Sequence, residues 1–149
     1  MEIFDKSKWG PGPWQSEPDI LEWVDEDTKL PCEVRRNSSG ALCGYVSIPE
    51  SHPYFGMGYD DLHFINVHGG LTYAGVAHRK SDIEKLAAPE DMEPKFQKFG
   101  FDCAHSGDYS PRSKEWDMHS RYGDSGEYRT LQYVQSECKD LATQFYGAQ

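Results

Sequence analysis

The chain of 149 residues is expected to fold as a single α+β domain, with a mainly antiparallel sheet of about five strands and a C-terminal amphipathic helix packed on one face. Three observations point to this. Short runs with strand-like alternation follow one another from residue 20, separated by turn residues. Two later runs, VHGGLTYAG (Val67–Gly75) and GFDCAHSGD (Gly100–Asp108), start strand-like and end in small residues carrying His, Asp or Cys. Near the C-terminus, Leu131, Val134, Cys138, Leu141 and Phe145 recur at spacings of three and four, which places them on one helical face.

Residues 1–19 read as an extended arm: Pro11, Pro13 and Pro18 restrict the backbone, and Trp9 and Trp14 supply apolar surface to strap it over the core. Ile20–Val24 is a first strand, followed by an acidic turn at Asp25–Thr28. Leu30–Arg36 and Leu42–Ile48 form a hairpin around Asn37–Gly40, and Pro49 ends the second strand by withholding an N–H. Residues 49–61 are too punctuated for a regular element and too apolar for a loose linker, so an ordered loop is expected. Leu62–Val67 and Leu71–Val76 read as two antiparallel strands joined at His68, Gly69 and Gly70, with His63 on the sheet's far face. Residues 77–95 form a long surface loop in which Ser81–Ala88 suits a short capped helix, and 110–126 form a second long loop or lid. Between them, Phe99, Phe101 and Cys103 alternate as a strand that delivers Asp102, His105 and Asp108 to its end. The final helix is expected over Glu127–Tyr146, with Tyr128 extending its apolar stripe.

Acidic residues outnumber basic ones by 25 to 15, and the net charge of −10 argues against a general grip on nucleic acid or an anionic membrane. The imbalance is uneven: residues 1–61 hold 12 acids and 5 bases (−7), and residues 62–149 hold 13 and 10 (−3). No apolar run is long enough to span a membrane, and MEIFDKSKWG lacks the order of a secretion signal, so a cytoplasmic protein is expected. Cys32, Cys43, Cys103 and Cys138 contain no C-x-x-C pair and are expected as thiols, although Cys32 and Cys43 flank a hairpin and are candidates for cross-strand neighbours.

Several stretches together resemble a family of small proteins encoded by bacteriophages and prophages. They are GPW at Gly12–Trp14, GYVSIP at Gly44–Pro49, HP at His52–Pro53, YDDL at Tyr59–Leu62, VHGGLTYAG, GFDCAHSGD and YRTLQYVQSEC at Tyr128–Cys138. FQKF at Phe96–Phe99 departs from relatives that are richer in tryptophan there, which alters an expected pocket wall. The resemblance implies a phage accessory protein acting in the host cytoplasm, a class that includes antagonists of host defence. It implies no reaction.

The residues leave several chemistries open. For a bound ligand, the candidates are His68, Gly69, Gly70, Thr72, Tyr73, Asp102, His105 and Asp108: glycine amides facing an anion, histidines donating to phosphate or base edges, and Tyr73, Tyr109 or Phe101 stacking on a planar ring. Arg112, Lys114, Arg121 and Arg129 add local positive charge. This reading gives a small polar, nucleotide-like ligand, such as a sequestered host immune signal. For a metal-dependent hydrolase of a phosphorylated small molecule, His68, Asp102, His105 and Asp108 are the nitrogen and oxygen donors a divalent ion accepts. For nucleophilic catalysis, Cys103 needs His68 or His105 as its base. A protein–protein antagonist would instead present its acidic surface to a host defence protein. Against all of these stands a purely structural role, in which Asp102 and Asp108 bind turn amides, His105 packs beside them and the glycines close a turn.

Overall fold

The computed structural model describes residues 3–78, 95–115 and 126–149, the last residues of one strand (76–78) by their backbone alone. The first hairpin forms where the turn residues place it. Strands β1 (Ile20–Val24), β2 (Pro31–Arg36) and β3 (Leu42–Pro49) are joined to β4 (Tyr73–His78) and β5 (Lys95–Asp102) in one antiparallel sheet of order β1-β2-β3-β5-β4. Helix α1 (Leu131–Gly147) lies across one face, so the molecule is a single α+β domain. Period-two alternation decides which residues meet it: Val34, Val46, Phe99 and Phe101 from the strands bury against Val134 and Phe145 of the helix.

Residues 62–67 are not a strand, and β4 pairs with β5 rather than with them. A 3-10 turn at Tyr59–Leu62 is followed by a segment lying along α1, where helix side chains replace the hydrogen bonds of a neighbouring strand. Gln144 donates to Asn66 O (2.8 Å) and accepts from Asn66 N (2.9 Å), and Glu137 accepts from His68 N (2.7 Å). Leu62, Ile65 and Val67 are buried, whereas His63 is exposed in the turn instead of lying on the sheet's far face.

The arm is strapped down as its tryptophans predict, with Trp9 and Trp14 buried. Beneath it, Asp19 accepts from Ile3 N, Phe4 N, Arg36 Nε (2.6 Å) and Lys6 Nζ (3.0 Å). Tyr128 belongs to this assembly rather than to the helical stripe. It precedes α1, meets Trp14 edge-on, accepts from Arg36 Nη1 and donates to Glu17, whose other oxygen caps Leu131 N (2.8 Å). The loop at 49–58 is ordered: His52 is buried, with Nε2 donating to Phe145 O (2.7 Å) and Nδ1 accepting from Tyr54 N (3.0 Å).

Residues 77, 78 and 95 are strand residues rather than loop, and the expected helix at Ser81–Ala88 falls outside the described residues. The first part of the expected lid, 110–115, packs down as a 3-10 turn with Ser110, Pro111 and Ser113 buried, and Glu115 accepts from Trp9 Nε1. All four cysteines are buried free thiols. In the register, Cys32 lies opposite Val46 and Cys43 opposite Arg35, so the two are not cross-strand neighbours.

Candidate functional site

The two motifs meet at one end of the sheet. His68 arrives on the segment that lies along α1, and β5 ends at Asp102 and turns through Ala104–Asp108. Their approach depends on Gly69, whose φ is +70° and whose missing Cβ would lie 2.4 Å from His105 Nε2. Gly70 also has a positive φ (+78°), but open space faces it. Both alanine variants should therefore lose about 1 kcal/mol for a left-handed backbone. Gly69→Ala should cost about 1 kcal/mol more, because it also turns the His105 ring away. Thermal denaturation of the pair, with the His105 ring resonances followed by NMR, checks this; equal losses and an unmoved ring would exclude the close approach.

Asp108 is the centre of the site, 3% exposed. Its carboxylate accepts from His68 Nε2 (2.8 and 3.0 Å to its two oxygens), from Arg129 Nε (2.8 Å) and from His105 N (3.1 Å). Burial alone would raise its pKa, but the donors from His68 and Arg129 outweigh burial and hold it below the ordinary 3.8. An ionised carboxylate only accepts, so His68 Nε2 carries a proton. In the tautomer with its one proton on Nε2, Nδ1, 2.8 Å from the Tyr133 hydroxyl, is the acceptor. The result is a continuous chain Asp108–His68–Tyr133. Arg129 lies over the Tyr133 ring at 5.2 Å, and its Nη1 is bonded to Glu127.

Outside this chain is a more exposed strip. Asp102 accepts from Thr72 Oγ1 (3.2 Å) and Ala104 N (3.1 Å), and its Oδ1 is 3.1 Å from His105 Nε2. That last approach has the distance of an ion pair without the direction of a hydrogen bond. His105 Nε2 is thus the one buried side-chain nitrogen or oxygen among the described residues with no hydrogen-bond partner. Tyr73, on the neighbouring strand, is 45% exposed and meets Tyr45 edge-on.

The four predicted donors therefore divide into two pairs, His68 with Asp108 and His105 with Asp102, and the two imidazole rings are 6.3 Å apart. No group of three or more His, Cys, Asp or Glu among the described residues is arranged to hold a metal ion. Cys103 is buried, and burial, followed by the nearby Asp108, keeps its thiol well above the ordinary range and protonated. The amides of the glycine turn are mostly committed: His68 N donates to Glu137 and Gly70 N to Val67 O. Of the proposed stacking rings, Phe101 is core and Tyr109 packs on Trp14, which leaves Tyr73. Asp61 caps Gly58 N.

Sequence reading missed Tyr133 and Glu137, both on α1. Their signal was weak: each lies beside the apolar stripe, where a polar residue ordinarily faces solvent. A cleft of about 210 Å³, lined by Glu127, Tyr128, Arg129, Thr130 and Tyr133, opens beside the chain's tyrosine end. Comparison with protein-family models, curated proteins and solved structures yields no match for this chain.

Proposed function

We propose that the protein is a phage accessory protein that binds a small polar, nucleotide-like ligand on the strip formed by Thr72, Tyr73, Asp102 and His105, with sequestration of a host signal as its role. His68, Asp108 and the turn at Gly69–Gly70 hold this strip in place from behind. The observation that carries the reading is the unfinished bonding of His105 Nε2 beside a part-exposed carboxylate, with the exposed Tyr73 on the neighbouring strand. Buried polar atoms are ordinarily satisfied, so a missing partner marks a place for one.

The chemistry favours the base end of such a ligand. Asp102 accepts from ring N–H or exocyclic amino groups, the Thr72 hydroxyl and His105 supply further polar contacts, and Tyr73 offers a stacking face. Phosphate is less well served, because Arg129, the guanidinium bonded to Asp108, is shared between Asp108 and Glu127. Among the described residues no helix is long and apolar enough to cross a membrane.

Titration of the protein with a panel of nucleosides and nucleotides, followed by NMR and calorimetry, tests the proposal. Saturable binding should shift the Thr72, Tyr73 and His105 resonances, and Asp102→Asn and Tyr73→Ala should each weaken it at least about tenfold, or ~1.4 kcal/mol. If no compound moves those resonances, the reading fails. Salt-sensitive capture of a basic host protein that survives His105→Ala would replace it with the acidic-surface reading.

A further inference from the structure

We propose that Tyr133, His68 and Asp108 form an acyl-transfer relay that acts on small uncharged carboxylic esters in the cleft beside α1. The relay has three roles in one hydrogen-bonded line. A hydroxyl oxygen sits 2.8 Å from an imidazole nitrogen, and the opposite ring nitrogen is held 2.8 Å from a buried carboxylate. This is the arrangement of nucleophile, base and orienting acid. The carboxylate here holds Nε2 and the hydroxyl faces Nδ1, so the ring is used in the sense opposite to that of a serine protease. Tyr133 lines the cleft, so the residue that carries the relay's hydroxyl also borders a cavity.

The phenol needs this base. Burial and then the Glu137 carboxylate raise Tyr133 above the ordinary value of 10, against the opposing influence of Arg129, so the group does not ionise unaided near neutrality. The Tyr133 oxygen attacks the ester carbonyl carbon while its proton passes to His68 Nδ1, leaving an imidazolium paired with Asp108. The bond from the carbonyl carbon to the alcohol oxygen then breaks, the imidazolium returns that proton to the departing alkoxide, and acyl-Tyr133 remains. Water, deprotonated by His68 in the same way, attacks the aryl ester and releases the carboxylic acid and the free phenol. Arg129, whose guanidinium lies over the Tyr133 ring and whose Nη2 has no partner among the described residues, is the donor we assign to the developing oxyanion.

Local charge selects the substrate class. Arg129 is balanced by Asp108 and Glu127, Glu137 flanks the histidine, and Glu17 already occupies the first free amide of α1. An anionic ester would enter an environment with more acid than base, whereas a neutral ester meets no such penalty. The cleft's ~210 Å³ admits a short acyl group and a small alcohol. This activity does not rest on the outer strip binding a nucleotide-like ligand.

The test uses p-nitrophenyl acetate with the full chain, measuring p-nitrophenol release and locating acetyl groups by peptide mass spectrometry after an acid quench. Acetyl should appear on Tyr133, and release should fall at least about 100-fold in Tyr133→Phe, which keeps the ring under Arg129. His68→Gln should match that loss while its circular dichroism stays that of the parent. Equal release from Tyr133→Phe, or acetyl on lysines alone, would overturn the relay. Because Tyr133→Phe leaves Thr72, Tyr73, Asp102 and His105 in place, its nucleoside binding should be unchanged, and the two proposals fail separately.

Discussion

Arg36→Ala should destabilise the protein by about 3–5 kcal/mol, the cost expected when one partner of a buried ion pair is removed and the other stays charged. Arg36 is 3% exposed and its whole guanidinium fork is in use. Nε donates to Asp19 at 2.6 Å, and Nη1 donates to Gly40 O at 2.8 Å and to Tyr128 Oη at 2.9 Å. Alanine leaves Asp19 fully buried with Lys6 and two backbone amides, and frees Tyr128 from its donor. The damage spreads through the chain Arg36–Tyr128–Glu17 to the first amide of α1, coupling the hairpin, the arm and the helix. Urea denaturation gives the loss directly. Arg36→Lys should fall between the two, because an ammonium keeps the charge but cannot make the fork's divergent bonds. A loss below about 1 kcal/mol in Arg36→Ala would mean that the arm is held by its tryptophans alone.

Asp108→Ala should cost about 2–3 kcal/mol, less than Arg36→Ala because the stranded partners, His68 and Arg129, retain some access to water. Its pH dependence separates this loss from simple cavity formation. The folded-state pKa of Asp108 lies below the ordinary 3.8, so its contribution is fully present above that value and is lost as pH falls below about 4. Asp19 and Asp25 are lowered too, so wild-type stability should drop on acidification through several carboxylates. In Asp108→Ala one of these contributions is missing, and stability measured from pH 7 down to 3 should fall less steeply. Parallel curves for the two proteins would show that Asp108 titrates alike folded and unfolded.

The site was legible to the extent that its residues sit at the ends of recognisable runs. His68, Asp102, His105 and Asp108 do converge, because β5 and the turn after Val67 finish at the same end of the molecule. Their pairing was not legible. Spacing alone suggested one four-ligand set, whereas the turn from Ala104 to Asp108 sends Asp102 to the outer strip and Asp108 beneath His68. The strand expected at Leu62–Val67 failed for a related reason. Its apolar residues are compatible with a pleat, but Gln144 and Glu137, some 70 to 80 residues later, supply the backbone's hydrogen bonds.

What the sequence determined by itself is the class of the fold: the hairpin at Asn37–Gly40, the alternation of Phe99, Phe101 and Cys103, and the helical stripe from Leu131 to Phe145 all follow from local periodicity and turn chemistry. The tertiary structure decided which strand lies beside β5, that Tyr133 joins the His68–Asp108 pair, and that the two predicted histidine–aspartate sets stay apart. Periodicity is a property of neighbouring residues and survives in the bare chain. A hydrogen bond between side chains far apart in sequence exists only after the elements have docked, and a shift of about one ångström there decides whether two groups form a relay or merely lie close.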